Sequence, residues 1–94
     1  MYTPLDEAIN EEGDFNVLGK ITQIMHKDQY TLDIRIRDES GETWFANILR
    51  RQYPRVTEGE VVKIRSVTVE RDSARINAIK LAPHSNIMTI VPFS

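Results

Sequence analysis

Cysteine is absent from this 94-residue chain, and that one absence removes disulfides, thiolate nucleophiles and cysteine-ligated zinc together. A reducing compartment, cytosol or nucleus, suits such a composition. Long hydrophobic runs are missing too: no stretch of 18 or more uncharged apolar residues occurs, and "MYTPLDEAINEEG" has neither a basic nor an apolar leader region, so neither a membrane span nor a signal peptide is expected. His26 and His84 stand alone in the sequence, without His-x-x-x-His, Gly-x-Ser-x-Gly or Gly-x-x-x-x-Gly-Lys, and the acids of the lead lack the spacing of a calcium loop. Ser85 directly follows His84, a spacing that suits proton transfer poorly. No enzyme, cofactor, metal or small-molecule substrate is expected.

What is present is one domain's worth of chain with 40% hydrophobic residues, enough for one modest core. The formal charge of −2 conceals a division. Residues 1–14 hold five acids and no Lys or Arg, while nine acids and all 12 Lys and Arg fall in 15–94, leaving a body of about +3. A solvated surface of mixed charge and an anionic partner both accommodate this division.

Five strand-like segments follow the acidic lead. "FNVLGKITQI" opens at Phe15 and is expected to bend at Gly19. "YTLDIRIRD" alternates strictly, with Tyr30, Leu32, Ile34 and Ile36 on one face and Thr31, Asp33, Arg35 and Arg37 on the other. The turn "ESGE" leads into "TWFANIL". There, Asn47 is costly to bury, which places Trp44 inward and Phe45 outward. In "VVKIRSVTVE" the parity of Val62 and Ile64 changes at Val67 and Val69, so a bulge is expected near Arg65-Ser66. "RINAIKLA" supplies the fifth strand. "PHSNIMTIVPFS" reads as an apolar extension, dividing the single domain into lead 1–14, barrel 15–82 and extension 83–94.

Five strands with a glycine bend, a bulged fourth strand and an irregular bridge "RRQYPRVTEGE" fit an all-β, five-stranded, partly open Greek-key barrel, the OB-fold; an SH3-like small barrel is the alternative. An OB barrel binds single strands across its second and third strands and the loops beside them. Those places hold Asp33, Arg35, Arg37, Phe45 and Asn47 on the sheet, His26, Lys27 and Gln29 in one loop, and Arg71, Asp72, Ser73 and Arg75 in the other. Phe45 is either covered by the lead or a platform for an unpaired base, with Tyr30 or Tyr53 in that role if the register differs. Tyr30 and Trp44 suit the core better than a ligand.

In order along the chain, "YTPL" at 2–5, "FNVLGKITQI", the turn at 38–41, "TWFANIL", "VTEGEVVKIRSVTVE" and "KLAPHSNIMTIVP" resemble the telomere-end-binding OB-folds of the protection-of-telomeres family. The lead and first strand are similar to that family's first OB-fold, and "HSNIMTIVP" is similar to the end of its second. The resemblance implies sequence-selective binding of G-rich single-stranded telomeric DNA in the nucleus, at chromosome ends, with no catalytic step. By region, it adds Lys20, Thr22 and Arg65 to Arg35, Arg37, Phe45, Asn47, Arg71 and Arg75 as DNA contacts. Many members carry two OB-folds in tandem, and a single barrel should read fewer nucleotides. Two other readings are a nonspecific single-strand binder and a module that docks telomere-complex proteins through the lead and "IMTIVPF".

Overall fold

The computed structural model describes residues 1–94 apart from Lys27, 52–54, Ser73 and 92–94, and of His26 and Val91 it describes the backbone alone. Alternation of apolar and polar residues produces five strands: β1 (Phe15–His26), β2 (Thr31–Arg37), β3 (Thr43–Leu49), β4 (Val61–Val69) and β5 (Ala78–Val91). They close into a barrel in the order β1-β2-β3-β5-β4, with β4 returning to β1. The closing seam is short. β3 and β5 run parallel and pair at Phe45 with Ala78, Ala46 with Ile79 and Asn47 with Lys80. The five strands, their order and the Greek-key crossover establish the OB-fold class.

Inward parity fills the barrel with Ile34, Ile36, Trp44, Ala46, Ile48, Val62, Ile64 and Val67, all buried. Each large side chain removed from water contributes roughly 1.5–3 kcal/mol, so this interior is the main source of stability. β1 serves two partners: Phe15 to Lys20 pair with β4 and Lys20 to His26 pair with β2. Gly19, where the sequence predicts a bend, sits beside that exchange. Its contribution is close approach, because a Cβ there would lie 2.5 Å from Ile36 Cγ2 and 3.0 Å from the Arg37 carbonyl oxygen. The register breaks of β1 fall elsewhere, between Phe15 and Val17 against β4 and between Ile21 and Gln23 against β2.

The bulge expected in β4 occurs at Ser66, whose φ of 61° lies in the left-handed region. Its N–H donates to Asn16 Oδ1 at 3.0 Å, and its carbonyl accepts the Ser85 hydroxyl at 2.8 Å, so Ser85 has a structural task. β5 does not stop at Ala82. The segment expected to be an extension is its second half, pairing Ile64 with Ile87, Lys63 with Met88 and Val62 with Thr89. Pro83 is accommodated because it lies opposite the bulge, where the ladder is already broken between Leu81 and Asn86 and its missing N–H interrupts nothing.

The lead is part of the fold. Leu5 and Ala8, three residues apart on a turn that ends in the 3-10 segment Ala8–Asn10, are buried in the core. The Leu5 N–H donates to Asp38 Oδ2 at 2.7 Å, which ties the lead to the β2–β3 hairpin. In that hairpin Gly41, at φ 88°, donates to the Asp38 carbonyl.

Gly19→Ala should destabilise the domain by about 1–3 kcal/mol through overpacking against Ile36 and the Arg37 carbonyl. Urea unfolding should show a lower midpoint at unchanged slope, and an unaltered midpoint would mean that β1 and β2 can separate there without cost.

Candidate nucleic-acid interface

Because β2 and β3 pair Arg35 with Phe45, Asp33 with Asn47 and Arg37 with Thr43, the outward side chains of the two strands form adjacent rows. The parallel seam adds Lys80 of β5 beside Asn47. Phe45 lies half-buried on this surface, with the guanidinium carbons of Arg35 and Arg75 at 4.8 and 4.5 Å from its ring centroid. Such cation–π contacts fix where the guanidinia stand, and their N–H groups bond at the ring's edge. Arg35 also donates to Gln23 Oε1 at 3.3 Å.

Asp33, expected on the wet face, points outward from the barrel yet is only 3% exposed. Its carboxylate accepts the Asn47 amide at 3.1 Å and pairs with Arg75 at 2.7 Å. The correction has a plain cause: the β4–β5 loop folds Arg75 over it. Asp33 therefore organises Asn47 and Arg75 and is not an open acceptor. Asn47 donates a second bond to the Leu32 carbonyl at 3.4 Å, so both partners of its Nδ2 are acceptors and the amide orientation follows. Asp33, Phe45, Asn47, Asp72, Arg75 and Lys80 line a groove of about 590 Å³. No residue of the lead lines it, so the lead is not the cover for Phe45.

Lys20, Thr22 and Arg37 gather in a second groove, of about 840 Å³, together with Tyr2, Leu18 and Glu39. Lys20 and Arg37 are direct cross-strand partners, and the Thr22 hydroxyl donates to the Arg35 carbonyl at 3.4 Å between the two grooves. Two expected contacts stand elsewhere. Arg65, on β4, pairs with Asn86 and lines neither groove. Arg71 donates to the carbonyls of Ile9 and Glu11 at 3.0 and 2.9 Å, so its guanidinium anchors the lead. Lys27, Ser73, Tyr53 and the His26 side chain lie outside the described residues.

Tyr30 does not join the core. β2 begins one residue later, and the ring is 69% exposed at the loop tip. Asp28 shapes that loop: its Oδ1 accepts the N–H groups of Tyr30 and Thr31 at 2.7 and 2.8 Å, and Arg50 Nε donates to its carbonyl at 2.9 Å. Lys80 and Tyr2 escaped sequence reasoning as site residues. Lys80 needed the β3–β5 pairing to be placed, whereas Tyr2 had the "YTPL" resemblance as its one signal.

The family model of the telomere end-binding protein alpha subunit OB2 domain matches residues 6–94. The chain belongs to this family. A telomere-binding protein homolog of Euplotes crassus is 57% identical over 94 residues, and telomere-binding protein subunit alpha of Stylonychia mytilus is 38% identical over 94. The 51 kDa telomere-binding subunit of Euplotes crassus is 33% identical over 90. The chain spans about a fifth of these relatives: 20%, 19% and 19% of their lengths, with 100%, 100% and 96% of its own covered. A solved murine DNA-binding protein in complex with double-stranded DNA superposes with a TM-score of 0.79 at 17% identity, over 99% of this chain and 49% of that one, and at such identity the likeness establishes the fold. One OB2-like match running from the lead through β5 replaces the mixed first-and-second OB-fold likeness of the sequence, in keeping with the extension being β5 itself.

The two backbone bonds to Asp28, from Tyr30 first and then Thr31, hold its carboxyl below the usual Asp range. A depressed carboxyl favours the ordered loop above the ordinary Asp range, and that advantage is lost as pH falls through the lowered value. The amide resonances of Tyr30 and Thr31 should therefore titrate together with a midpoint below the ordinary Asp range, and a midpoint within or above that range would show that Asp28 does not hold the loop.

Proposed function

We propose that this domain binds G-rich single-stranded telomeric DNA across β2 and β3 and acts at chromosome ends in the nucleus, as a holder of DNA without a catalytic step. The observation that carries this reading is the half-buried Phe45 ring at a groove that also holds Arg75, Asn47 and Lys80. Support comes from the family and from relatives named as telomere-binding proteins. An aromatic face stacks any base and contributes ~1–3 kcal/mol per base, which exceeds what one exposed cation supplies. Arg35, Arg37, Lys20 and Lys80 give phosphate attraction and salt dependence. Asn47, held by Asp33, reads base edges.

Telomere-complex proteins, the second class of partner, would meet a different face. Met88 and Ile90 are exposed on β5, and Met88 lies beside Lys63 on the β4–β5 side of the barrel. This pairing leaves the Phe45 groove to DNA.

Fluorescence anisotropy with a telomere-repeat G-rich strand, its complement, the same sequence as RNA, a scrambled strand and the duplex tests the proposal. The G-rich DNA strand should bind tightest; equal affinity for the scrambled strand would leave only nonspecific binding. Phe45→Ala should weaken binding about ten-fold or more, and a loss under about two-fold would remove the ring from the site. Arg35→Ala should weaken binding and flatten the slope of log affinity against log salt by about one, while an unchanged slope would place Arg35 off the phosphate path.

A further inference from the structure

The lead is fastened in a manner that its acidity does not explain. Asn16 on β1 grips it at two successive places: Nδ2 donates to the Met1 carbonyl at 3.1 Å, and the Asn16 carbonyl accepts the Thr3 N–H at 2.8 Å. Tyr2 is bracketed between those bonds. Behind it Leu5 and Ala8 are locked into the core, and Arg71 holds the carbonyls of Ile9 and Glu11 from the other side. So tethered, the segment presents Tyr2, 39% exposed, to the groove of about 840 Å³.

The chemistry of that groove divides by type. Tyr2, Pro4, Leu18 and Val61 give it an apolar wall, and Lys20 and Arg37 stand opposite each other across β1 and β2. Among the described residues neither cation has an ion-pair partner. Two free cations beside an aromatic ring and aliphatic side chains complement a nucleotide, which carries an anionic phosphate and a flat base. The groove also continues the Phe45 surface, since Arg37 follows Arg35 on the same face of β2 at the two-residue repeat of about 7 Å. The bridging bonds from Thr22 to the Arg35 carbonyl and from Arg35 to Gln23 lie between the two.

We infer that the Tyr2 groove is a second nucleotide subsite on the path of one single strand, with Tyr2 stacking a base and Lys20 and Arg37 holding the adjoining phosphates. This rests on the reading of the Phe45 groove as a single-strand site. It gives the lead a function: an acidic segment in net charge, it carries an aromatic contact to the edge of a basic trough. None of the lead's five acids lines the groove; the groove's carboxylates are the hairpin's Asp38, bonded to the Leu5 N–H and Ser40, and Glu39, which can accept a base amino group.

The test uses the whole chain and G-rich telomere-repeat DNA strands graded from about 4 to about 12 nucleotides, the range of OB-fold site sizes. In the wild type, affinity should climb with length and step upward when the strand reaches the second groove. Tyr2→Ala should lose that step, weakening long strands about five-fold or more while short strands bind as before, and Tyr2→Phe should keep it. Phe45→Ala should weaken every length. Should Tyr2→Ala bind long strands like the wild type, the subsite is overturned even though Phe45→Ala still weakens them. Should Phe45→Ala change nothing while Tyr2→Ala does, the Phe45 reading falls and the Tyr2 groove alone is the site. A wild type that binds no strand of any length overturns both, and an acidic partner peptide would then be the occupant to test. If Tyr2→Ala melts early, photo-cross-linking of 5-iodouracil-substituted strands to the wild type decides: an adduct on Tyr2 supports the subsite, and adducts confined to the Phe45 groove overturn it.

Discussion

Three parallel residue pairs between β3 and β5 hold the barrel shut, and the groove proposed to take DNA is assembled on them. A parallel connection cannot be made by a tight turn, so β4 and its loop must first cross the barrel before the chain arrives beside β3. That crossing delivers Arg75 above Phe45 and Asp33. Asn77, at φ 59°, makes the reversal into β5, and its carbonyl accepts the Phe45 N–H at 2.9 Å. Were the seam to open, Lys80 would leave Asn47, Arg75 would lose its place over the ring, and the buried Asp33 carboxylate would meet water. Closure of the fold and construction of the groove are one event.

Much of this was legible in the chain because strands with one wet face state their orientation. The alternation in β2 and the single polar Asn47 in β3 were enough to put Trp44 in and Phe45 out, and the parity change between Ile64 and Val67 located the bulge at Ser66. The limits are as specific. Pro83 read as a stop, since only the partner strand's bulge shows that no N–H is wanted at that position. Leu5 and Ala8 were hidden among acids, and their three-residue spacing is too short a signal without the core they enter. Asp33 kept to the outward parity and Arg71 to its loop, but both lost their freedom, to a loop and a lead whose paths no local pattern encodes.

Charge follows the same division. Of the cations that the sequence offered to an anionic ligand, Arg71 is spent on backbone carbonyls and Arg75 is partly neutralised by Asp33, while Arg35, Arg37 and Lys20 remain on the outer surface of adjoining strands, where the fold adds Lys80. A mildly basic body thus becomes a directional one. Because the Debye length at physiological ionic strength is about 8 Å, cations two residues apart on one strand act nearly together, whereas Arg65 on β4 contributes little to this trough.

Selectivity in such a trough depends on which atoms are left facing outward. Asn47 makes two bonds through Nδ2, to the Asp33 carboxylate and the Leu32 carbonyl, and among the described residues its Oδ1 takes no donor. An asparagine between two acceptors cannot flip without facing oxygen to oxygen, so the group it presents is an acceptor. On the proposed DNA, that acceptor would take a base N–H donor, the exocyclic amino group or N1–H of guanine among them. On the proposed reading, the buried Asp33 would bear on base choice without touching a base: it fixes the direction of Asn47, and a base edge that offers Oδ1 no donor would carry the penalty of an unsatisfied acceptor, which separates ligands more sharply than added attraction does.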